Sequence, residues 1–215
     1  IELQTFDDKA DPAASTTAAR DALASGAIAL VGSSSMLDCA INNKTWVDEG
    51  IVSLTATGVD PFCFATPNIA ATNTGPYFGM FSTLWHGSET LGYDKICAFN
   101  VPDDAAGRAA YKQAQDTWAK ETGKELALYD DSLVRGQSSY AGNIAQISTE
   151  KCDSIFINEI GPAVTAFLSE ATNQGISLPV LALTPVYSQE FVDTLSYGGD
   201  VHITAEFSPW SDLED

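Results

Sequence analysis

The chain alternates from end to end between short apolar, β-branched runs and stretches that repeat apolar positions at helical spacing. The clearest example is the apolar run at 27–31, which passes through Gly32 into three serines at 33–35 and then into a helical stretch. In a parallel α/β sheet, ligands bind where a strand ends and its helix begins, because backbone N–H groups and the positive helix end face outward there. The pattern therefore predicts a binding site at this turn.

The same pattern assigns the remaining elements. Strands are predicted at 1–6, 27–31, 51–54, 95–100, 126–129, 153–158, 180–183 and 200–204, and helices at 11–26, 36–48, 76–91, 103–123, 139–149 and 163–173. Strands that alternate with helices form right-handed βαβ units and a mostly parallel sheet. The long irregular connection at 55–74 predicts two lobes, because such loops are uncommon inside one compact domain. A cleft between the lobes, lined by the carboxyl ends of the strands, is the expected small-molecule site.

Composition narrows the function classes. Of the 215 residues, 29 are acidic and 10 are basic, which gives a formal net charge of −19. A basic patch cannot form, so nucleic acids and anionic membranes are excluded as partners. There is no run of about 18 apolar residues, so no segment is predicted to enter a membrane. The sequence opens directly on a predicted strand, which suggests a removed leader or a fragment.

The chain contains four cysteines, Cys39, Cys63, Cys97 and Cys152. The first two lie just beyond adjacent predicted strands, and the last two lie within or just before two later strands, so the pairs 39–63 and 97–152 are predicted disulfides. Two such bridges suit an exported protein, and four buried free thiols are the alternative. There is no CxxC motif and the two histidines, His86 and His202, are far apart, so neither a zinc site nor a cofactor is predicted.

Four aromatic residues recur at helical spacing and are predicted to lie in the core: Tyr77, Phe78, Phe81 and Trp85. Tyr187 and Trp210 follow predicted strand ends and are the aromatic candidates for a ligand pocket. Asp103 and Asp104 precede a predicted helix and are interpreted as its cap.

Several stretches together resemble the type 1 periplasmic binding proteins, in the branched-chain amino acid (Leu/Ile/Val) branch of ABC-transporter receptors. The opening "IELQTFDDKADP" resembles the family's second strand and its Asp-Asp…Asp-Pro turn. The segments "LVGSSS" and "DEGIVSLTATGVDP" resemble its serine-bearing loop and the next strand. The stretch "SIFINEIGPAVTAFLSEATNQGISLPVLA" resembles a strand, helix and strand of its second lobe. These similarities follow one another in order along nearly the whole chain.

The resemblance implies an α/β fold of two doubly wound parallel-sheet lobes, of which the first is incomplete in this sequence. Residues 1–70 would supply part of lobe 1, residues 71–204 would supply lobe 2, and residues 205–215 would cross back toward lobe 1. Lobe 1 would then lack the strand that is normally central to its sheet.

The resemblance also implies a ligand site in lobe 1. In the family, a serine and backbone N–H groups at a helix start hold the ligand's carboxylate, which points here to Ser35 and its neighbour Ser34. An ungapped comparison places the family's serine at Met36, so the assignment needs a small loop shift. Thr57 and Gly58 match the family's positions after the next strand. Helix capping alone is the alternative role of the serines.

In lobe 2 the sequence departs from the family. The family's ammonium-binding acidic residue falls on Thr184, and a second carboxylate at the crossover falls near Thr72. A desolvated ammonium needs carboxylate or carbonyl partners, and Glu159 could replace the missing ones, with a surface carboxylate as the alternative. Tyr187 completes the candidate set. Fewer carboxylates favour a neutral amide or a small aromatic or aliphatic acid as ligand.

The implied function is that of an extracellular or periplasmic solute-binding protein of an ABC importer. It would capture a small amino-acid-like, amide or organic-acid ligand by hinge closure, and a membrane permease would recognise the closed form. A lipid anchor through a leader outside this sequence is compatible with that location. No catalytic residue is predicted, because the glycine motifs of dinucleotide, phosphate and nucleophile-elbow sites do not occur. A ligand-sensing domain on the same fold and an α/β enzyme remain the alternatives.

Overall fold

The computed structural model describes residues 2–102 and 104–206 of the chain. The chain divides into two compact units, Ile1–Gly75 and Pro76–Asp215. The sequence-based lobe boundaries stay a prediction. Most of the predicted crossover at 205–215 lies outside the described residues.

The first unit is a three-stranded parallel sheet with helices between its strands. Its elements are α1 (Pro12–Ala24), β1 (Ala29–Ser33), α2 (Asp38–Asp48), β2 (Val52–Thr55), α3 (Phe62–Ala65) and β3 (Ile69–Ala71), and the strand order is β1-β2-β3. The start of α1 follows from its sequence: Pro12 takes the first helical position, and the Asp11 carboxylate accepts a hydrogen bond from the Ala14 N–H at 2.8 Å.

One face of this sheet is packed and the other is bare. The packed side is centred on Trp46 and Ile69, and a disulfide joins Cys39 in α2 to Cys63 in α3, with a Cα–Cα distance of 5.2 Å. On the opposite face Val31, Val52 and Leu54 are 72%, 50% and 43% exposed. Parallel sheets are normally covered on both faces. The first unit therefore has the incomplete layer structure that the sequence predicts for it.

The strand predicted at 1–6 does not form. Residues 2–6 have no regular secondary structure and their side chains are exposed, with Leu3 86% exposed. A strand is stabilised by ladder hydrogen bonds to a neighbour, and apolar alternation alone does not supply that neighbour. In the described chain β1 and β3 are the outer strands, and residues 2–6 pair with neither.

The second unit is a larger parallel sheet covered on both faces. Its elements are α4 (Gly75–Trp85), a π-helical turn (His86–Thr90), β4 (Ile96–Asn100), α5 (Ala105–Thr122), β5 (Leu128–Asp130), α6 (Ala141–Glu150), β6 (Ser154–Asn158), α7 (Gly161–Asn173), β7 (Val180–Ala182), a 3₁₀ turn (Thr184–Val186), α8 (Gln189–Thr194) and β8 (Val201–Ile203). The strand order is β5-β4-β6-β7-β8, and each neighbouring pair is parallel.

Two apolar layers hold this sheet. Met80 of α4 and Trp118 of α5 pack on one face, and Ile144 of α6 and Phe167 of α7 pack on the other. The strands β4 and β6 are buried along their whole length, as expected for strands covered on both faces. A second disulfide joins Cys97 to Cys152, with a Cα–Cα distance of 5.8 Å. The architecture is the α/β class with doubly wound parallel strands that the sequence predicts.

The path of the chain creates a reversal between β4 and β6. After β4 the chain passes through α5 to β5 on one side, and after β5 it passes through α6 on the opposite face to reach β6 on the other side. In open α/β sheets, ligands bind beyond the carboxyl ends of the strands at such a switch point. The last residues of β4 and β6 are therefore the positions of interest in this unit.

The aromatic residues of α4 are only partly core, which corrects the sequence prediction. Phe78 is 56% exposed and Trp85 is 39% exposed, whereas Met80 and Leu84 are fully buried. Successive residues of a helix are rotated by about 100°. Met80 and Leu84 face the sheet, so Phe81 and Trp85, each one position further along, are turned away from it by that angle. Hydrophobic spacing identified the helix but could not tell which of two adjacent apolar stripes faces the core.

Candidate functional site

The serine turn of the first unit lies between β1 and α2. The left-handed Gly32, with φ of +75°, lies between Val31 and Ser33, where the pairing of β1 with β2 shifts register. Beyond it, the Ser35 hydroxyl accepts hydrogen bonds from the N–H groups of Leu37 at 3.1 Å and Asp38 at 2.9 Å. Ser35 therefore caps the start of α2 with its side chain.

The Ser35 hydroxyl also donates its hydrogen to the carboxylate of Asp8. A hydroxyl offers one donor and two acceptor positions, so these three contacts use its full capacity. A ligand carboxylate can accept the Ser35 hydrogen only if Asp8 gives it up. Ser34 is exposed beside it. The ligand role of both serines stays a prediction, and helix capping by Ser35 is a finding.

The structure brings the other predicted residues of this unit to the same sheet edge. The Thr57 N–H donates to the Ser33 carbonyl at 3.2 Å, which places the segment after β2 beside the serine turn. Thr72, just after β3, donates through its N–H to the Thr55 carbonyl at 3.0 Å and through its hydroxyl to a neighbouring carbonyl at 3.2 Å. Three successive strand ends thus contribute polar groups to one edge.

Gly58 is clamped by the side chain of Asn73. The Gly58 N–H donates to Asn73 Oδ1 at 2.7 Å, and Asn73 Nδ2 donates to the Gly58 carbonyl at 3.1 Å. A Cβ at position 58 would lie 2.7 Å from the Ala71 Cβ and 2.9 Å from Phe64 Cζ, so only glycine fits there. The Gly58 N–H, a candidate for ligand binding in the sequence analysis, is therefore already bonded within the protein.

In the second unit, Thr184 begins the 3₁₀ turn after β7 and Tyr187 follows that turn. The Thr184 hydroxyl donates to the Thr204 carbonyl at 2.7 Å, and the Tyr187 N–H donates to the Thr184 carbonyl at 2.8 Å. These bonds hold the turn against the end of β8. The role of Thr184 toward a ligand stays a prediction.

Glu159 follows the last residue of β6 and is buried, with its side chain 1% exposed. Its Oε2 accepts hydrogen bonds from Arg135 at 2.9 Å and from the Ile160 N–H at 3.1 Å. Burial raises the pKa of Tyr140, and the negative charge of Glu159 adds to that rise. The carboxylate proposed for a ligand ammonium therefore already faces a guanidinium, which was not foreseen.

Arg135 is positioned by a tight turn in the loop between β5 and α6. The Gln137 N–H donates to the Val134 carbonyl at 3.0 Å, and the Gln137 side chain accepts from the Val134 N–H at 3.0 Å. Gly136 has a φ of +71°, a conformation that glycine adopts without cost. The Arg135 side chain is 36% exposed, so part of it faces solvent while its guanidinium contacts Glu159.

Asp130, the last residue of β5, anchors the same loop. Its carboxylate accepts hydrogen bonds from the Ser132 N–H and hydroxyl and from the side-chain amides of Asn143 and Gln146. Burial raises the pKa of Asp130, but these hydrogen bonds outweigh it and leave the pKa below the ordinary value of 3.8. Asp130 is therefore a charged structural support of the strand ends.

Two asparagines at the switch point were missed by the sequence analysis. Asn100 ends β4 and Asn158 ends β6, and the two are register partners on neighbouring strands. Asn100 is 0% exposed and Asn158 is 8% exposed. The signal was present in the sequence, because the two apolar runs "ICAFN" and "SIFIN" both end in asparagine. Two buried strands that stop at the same amide residue indicate a polar centre at their shared edge.

Other sequence candidates are placed as follows. Asp104 caps α5, with its Oδ1 accepting from the Gly107 N–H at 2.7 Å. Asp103 and Trp210 lie outside the described residues. Across residues 2–102 and 104–206, no three His, Cys, Asp or Glu side chains are grouped so that they could hold a metal ion. In the same part of the chain no helix is both long and apolar enough to cross a membrane.

A family model described as "Periplasmic binding protein" matches residues 1–215. No curated protein matches the chain. The leucine binding protein LivK of Thermotoga maritima superposes with a TM-score of 0.74 at 14% sequence identity, over 92% of this chain and 55% of that one.

Two further solved structures are similar. The branched-chain amino acid transporter substrate binding protein LivJ of Streptococcus pneumoniae has a TM-score of 0.73 at 16% identity, over 91% of this chain and 56% of its own. A solute binding protein of an ABC transporter from Rhodopseudomonas palustris has a TM-score of 0.68 at 14% identity, over 86% of this chain and 52% of its own. The chain spans about half the length of these structures.

At these identities the superpositions establish the fold, which is the type 1 periplasmic binding fold. The family match, by contrast, extends over the whole sequence and does not depend on the superpositions. The chain belongs to the periplasmic binding protein family.

Proposed function

We propose that this chain is part of an extracellular or periplasmic solute-binding protein of an ABC importer. Its ligand is a small amino-acid-like, amide or organic-acid solute, which it binds without chemical turnover. The two lobes close on the solute by hinge bending, and a membrane permease recognises the closed form. The observation that carries the proposal is the family match over residues 1–215.

The geometry of each unit supports binding at the strand ends. In the first unit, Ser35, Thr57 and Thr72 lie at one edge of the sheet, beside the N-terminus of α2. Helix N-termini and exposed main-chain amides favour anionic groups. In the second unit, the partly exposed side chain of Arg135 lies in the loop after β5, with its guanidinium paired to Glu159. Both units therefore present polar groups suited to a small polar solute.

The similar structures support this ligand range. The Streptococcus pneumoniae protein is described in complex with isoleucine, and the Rhodopseudomonas palustris protein in complex with p-hydroxybenzoic acid. Both an amino acid and an aromatic acid carry a carboxylate, but only the amino acid also carries an ammonium group. The same fold thus accommodates ligands with and without a positive group, in keeping with Glu159 as the single carboxylate among this chain's candidate ligand residues.

The disulfides support a location outside the cytoplasm. Cys39–Cys63 and Cys97–Cys152 each lie in the core of one unit. Disulfides persist in oxidising compartments and are rare in the cytosol. A lipid anchor supplied by a leader would hold such a protein near its permease.

A thermal-shift screen of the full-length protein against amino acids, aliphatic amides and aliphatic and aromatic acids tests the proposal. A true ligand raises the Tm saturably with its concentration and is recovered unchanged by NMR. Titration calorimetry then compares the Ser35→Ala and Thr57→Val variants with Ser169→Ala, an exposed helix serine whose hydroxyl donates only to the Thr165 carbonyl.

We expect the two site variants to weaken binding about fivefold or more and the control to leave it unchanged. A panel in which no compound stabilises the protein would contradict the proposed function. Unchanged affinity in both site variants would contradict the assignment of the first-unit site while leaving the function standing.

A further inference from the structure

We propose that Asn100 is a ligand-binding residue that recognises a neutral group with a hydrogen-bond donor and acceptor side by side, namely a primary carboxamide or a urea. The inference rests on the proposed function and narrows its ligand class. It concerns the carboxyl edge of β4 and β6 in the second unit, where Asn100 and Asn158 end neighbouring strands.

Asn100 is buried without hydrogen-bond partners. Its side chain is 0% exposed, and within residues 2–102 and 104–206 neither Nδ2 nor Oδ1 has a partner. Leaving a buried amide unbonded is costly, so native structures rarely do it without a reason such as a functional site or a bound water. The protein therefore carries an amide whose bonds are completed by something outside residues 2–102 and 104–206.

The position of Asn100 points to a ligand. Along β4 and β6, Ala98 and Phe156 face the layer of α4 and α5, whereas Phe99 and Ile157 face the layer of α6 and α7. Alternation then places Asn100 and Asn158 on the α4–α5 face, next to each other. This is the switch point of the sheet, where ligands of open α/β folds bind. Asn158 keeps 8% of its surface exposed, so the polar edge is connected to solvent.

The chemistry of an asparagine side chain selects the ligand class. Its Oδ1 accepts and its Nδ2 donates, about 2 Å apart on one planar group. A carboxylate satisfies Nδ2 but leaves Oδ1 unbonded, and an ammonium does the reverse. A primary amide or urea satisfies both through two parallel hydrogen bonds. Glu159, which follows Asn158 in the chain, is paired with Arg135 at 2.9 Å, so that pair demands no net charge of the ligand.

The test measures affinity of the full-length protein for propanamide and for propanoate, two probes of the same size, and for L-leucine, all by titration calorimetry at neutral pH. We expect propanamide to bind more tightly than propanoate. Asn100→Leu should weaken propanamide binding about tenfold or more, because a site built to hydrogen-bond a group loses that group's partner. Asn100→Asp, which keeps the shape but removes the donor, should weaken it as well.

A stability readout separates a ligand role from a structural one. Replacing an unbonded buried amide by an apolar group of similar size is neutral or stabilising, so Asn100→Leu should keep or raise the Tm of the ligand-free protein. The matched control is Ser53→Ala in β2, which removes a different kind of buried polar group, a hydroxyl, that also has no partner in the described chain. It should leave affinity for the probes unchanged.

The outcomes are distinct. Tighter binding of propanoate, or propanamide affinity unchanged in Asn100→Leu, would overturn the inference about Asn100 and leave the proposed function intact. A marked fall of the ligand-free Tm in Asn100→Leu, without loss of affinity, would assign Asn100 a structural role instead. Failure of all three probes to bind would overturn the inference about Asn100, and the proposed function would fall with it only if no compound of the screening panel stabilised the protein.

Discussion

The carboxylate of Asp8 accepts a hydrogen bond from the hydroxyl of Ser35, which lies 27 residues further along the chain. The same carboxylate accepts from the Ala10 N–H at 3.0 Å, in a turn where Lys9 and Ala10 have positive φ angles of 53° and 51°. This acidic turn therefore folds against the serine turn at the start of α2. Asp8 takes the place that a ligand carboxylate would take on Ser35, so the two negative groups compete.

Removing Asp8 should therefore strengthen binding of an anionic ligand. Asp8→Ala frees the Ser35 hydrogen and removes a repulsive charge, and we expect about a fivefold gain in affinity for a carboxylate ligand found in the screen. Asp7→Ala is the matched control, since Asp7 also accepts one local N–H bond, from Lys9 at 2.8 Å, but does not contact Ser35 in the described chain. Titration calorimetry should show a gain for Asp8→Ala alone. Equal effects of both variants would mean that Ser35 does not meet the carboxylate.

Asp130 should make stability depend on pH in the acidic range. Its folded-state pKa lies below 3.8, so the unfolded chain takes up its proton first as the pH falls. The stabilisation is therefore complete near neutral pH and declines as the pH falls below about 5 toward the folded pKa. Asp130→Asn should lower the free energy of unfolding by about 2 kcal/mol at pH 7, and by less at pH 3.

Urea unfolding at a series of pH values measures this difference. Asp131→Asn serves as the control, because Asp131 is a more exposed carboxylate that pairs with Arg108 on the surface. Exposed ion pairs contribute about 1 kcal/mol or less, so its effect should be small at every pH. A loss for Asp130→Asn that is the same at pH 7 and pH 3 would contradict the ionised network.

Gly58→Ala should destabilise the first unit by packing alone. The added methyl group would meet Ala71, Phe64 and the Asn73 amide at 2.7, 2.9 and 3.1 Å. Overpacking of this kind costs about 1–3 kcal/mol, and here it also pushes the Asn73 clamp away from Gly58. The control is Gly142→Ala in α6, where nothing lies within 4 Å of the new Cβ.

Gly142→Ala should instead stabilise the protein, by about 0.5–1 kcal/mol, because alanine favours the helix. Calorimetric Tm values of the two variants should thus move in opposite directions. A Gly58→Ala protein as stable as the wild type would show that the segment after β2 is looser than the structure indicates.

The two disulfides should stabilise their units to different degrees. Cys39–Cys63 closes a sequence separation of 24 residues, and Cys97–Cys152 closes one of 55. Cross-links restrict the unfolded chain more when the loop is longer, so removing the pairs should cost about 3–4 kcal/mol, with the longer loop costing about 0.7 kcal/mol more. Calorimetry of the two double alanine variants measures both losses. Four reactive thiols in denatured, unreduced protein would contradict both bridges.

Most of the strands could be predicted because buried strands are continuous apolar runs in the sequence. The predicted runs at 95–100 and 153–158 became β4 and β6 almost without adjustment, since each is an unbroken apolar run between polar turns. The opposite case is the run at 1–6, which alternates well but has no strand beside it. A strand depends on its neighbour, and a single segment of sequence does not reveal the neighbour.

The turns that carry the candidate site residues could be predicted from the sequence, but the contacts of those residues could not. The serine turn was identified from a strand, a glycine and three hydroxyl residues, because that order is local. The Asp8–Ser35 and Arg135–Glu159 contacts join loops 27 and 24 residues apart that carry no periodic signal. The burial of Asn100 likewise depends on the layer packed over the strand end. Contacts of this kind follow from tertiary structure and could not be derived from the pattern.

The bare side of the first unit has a practical consequence. Val31, Val52 and Leu54 form an exposed apolar patch on a sheet whose outer strands, β1 and β3, have no further partner in the described chain. A fragment containing only residues 1–75 would be prone to aggregate through this apolar patch despite the strong negative charge of the chain. Ligand titrations on such a fragment would then measure binding to aggregates and not to folded monomers. Light scattering would detect those aggregates.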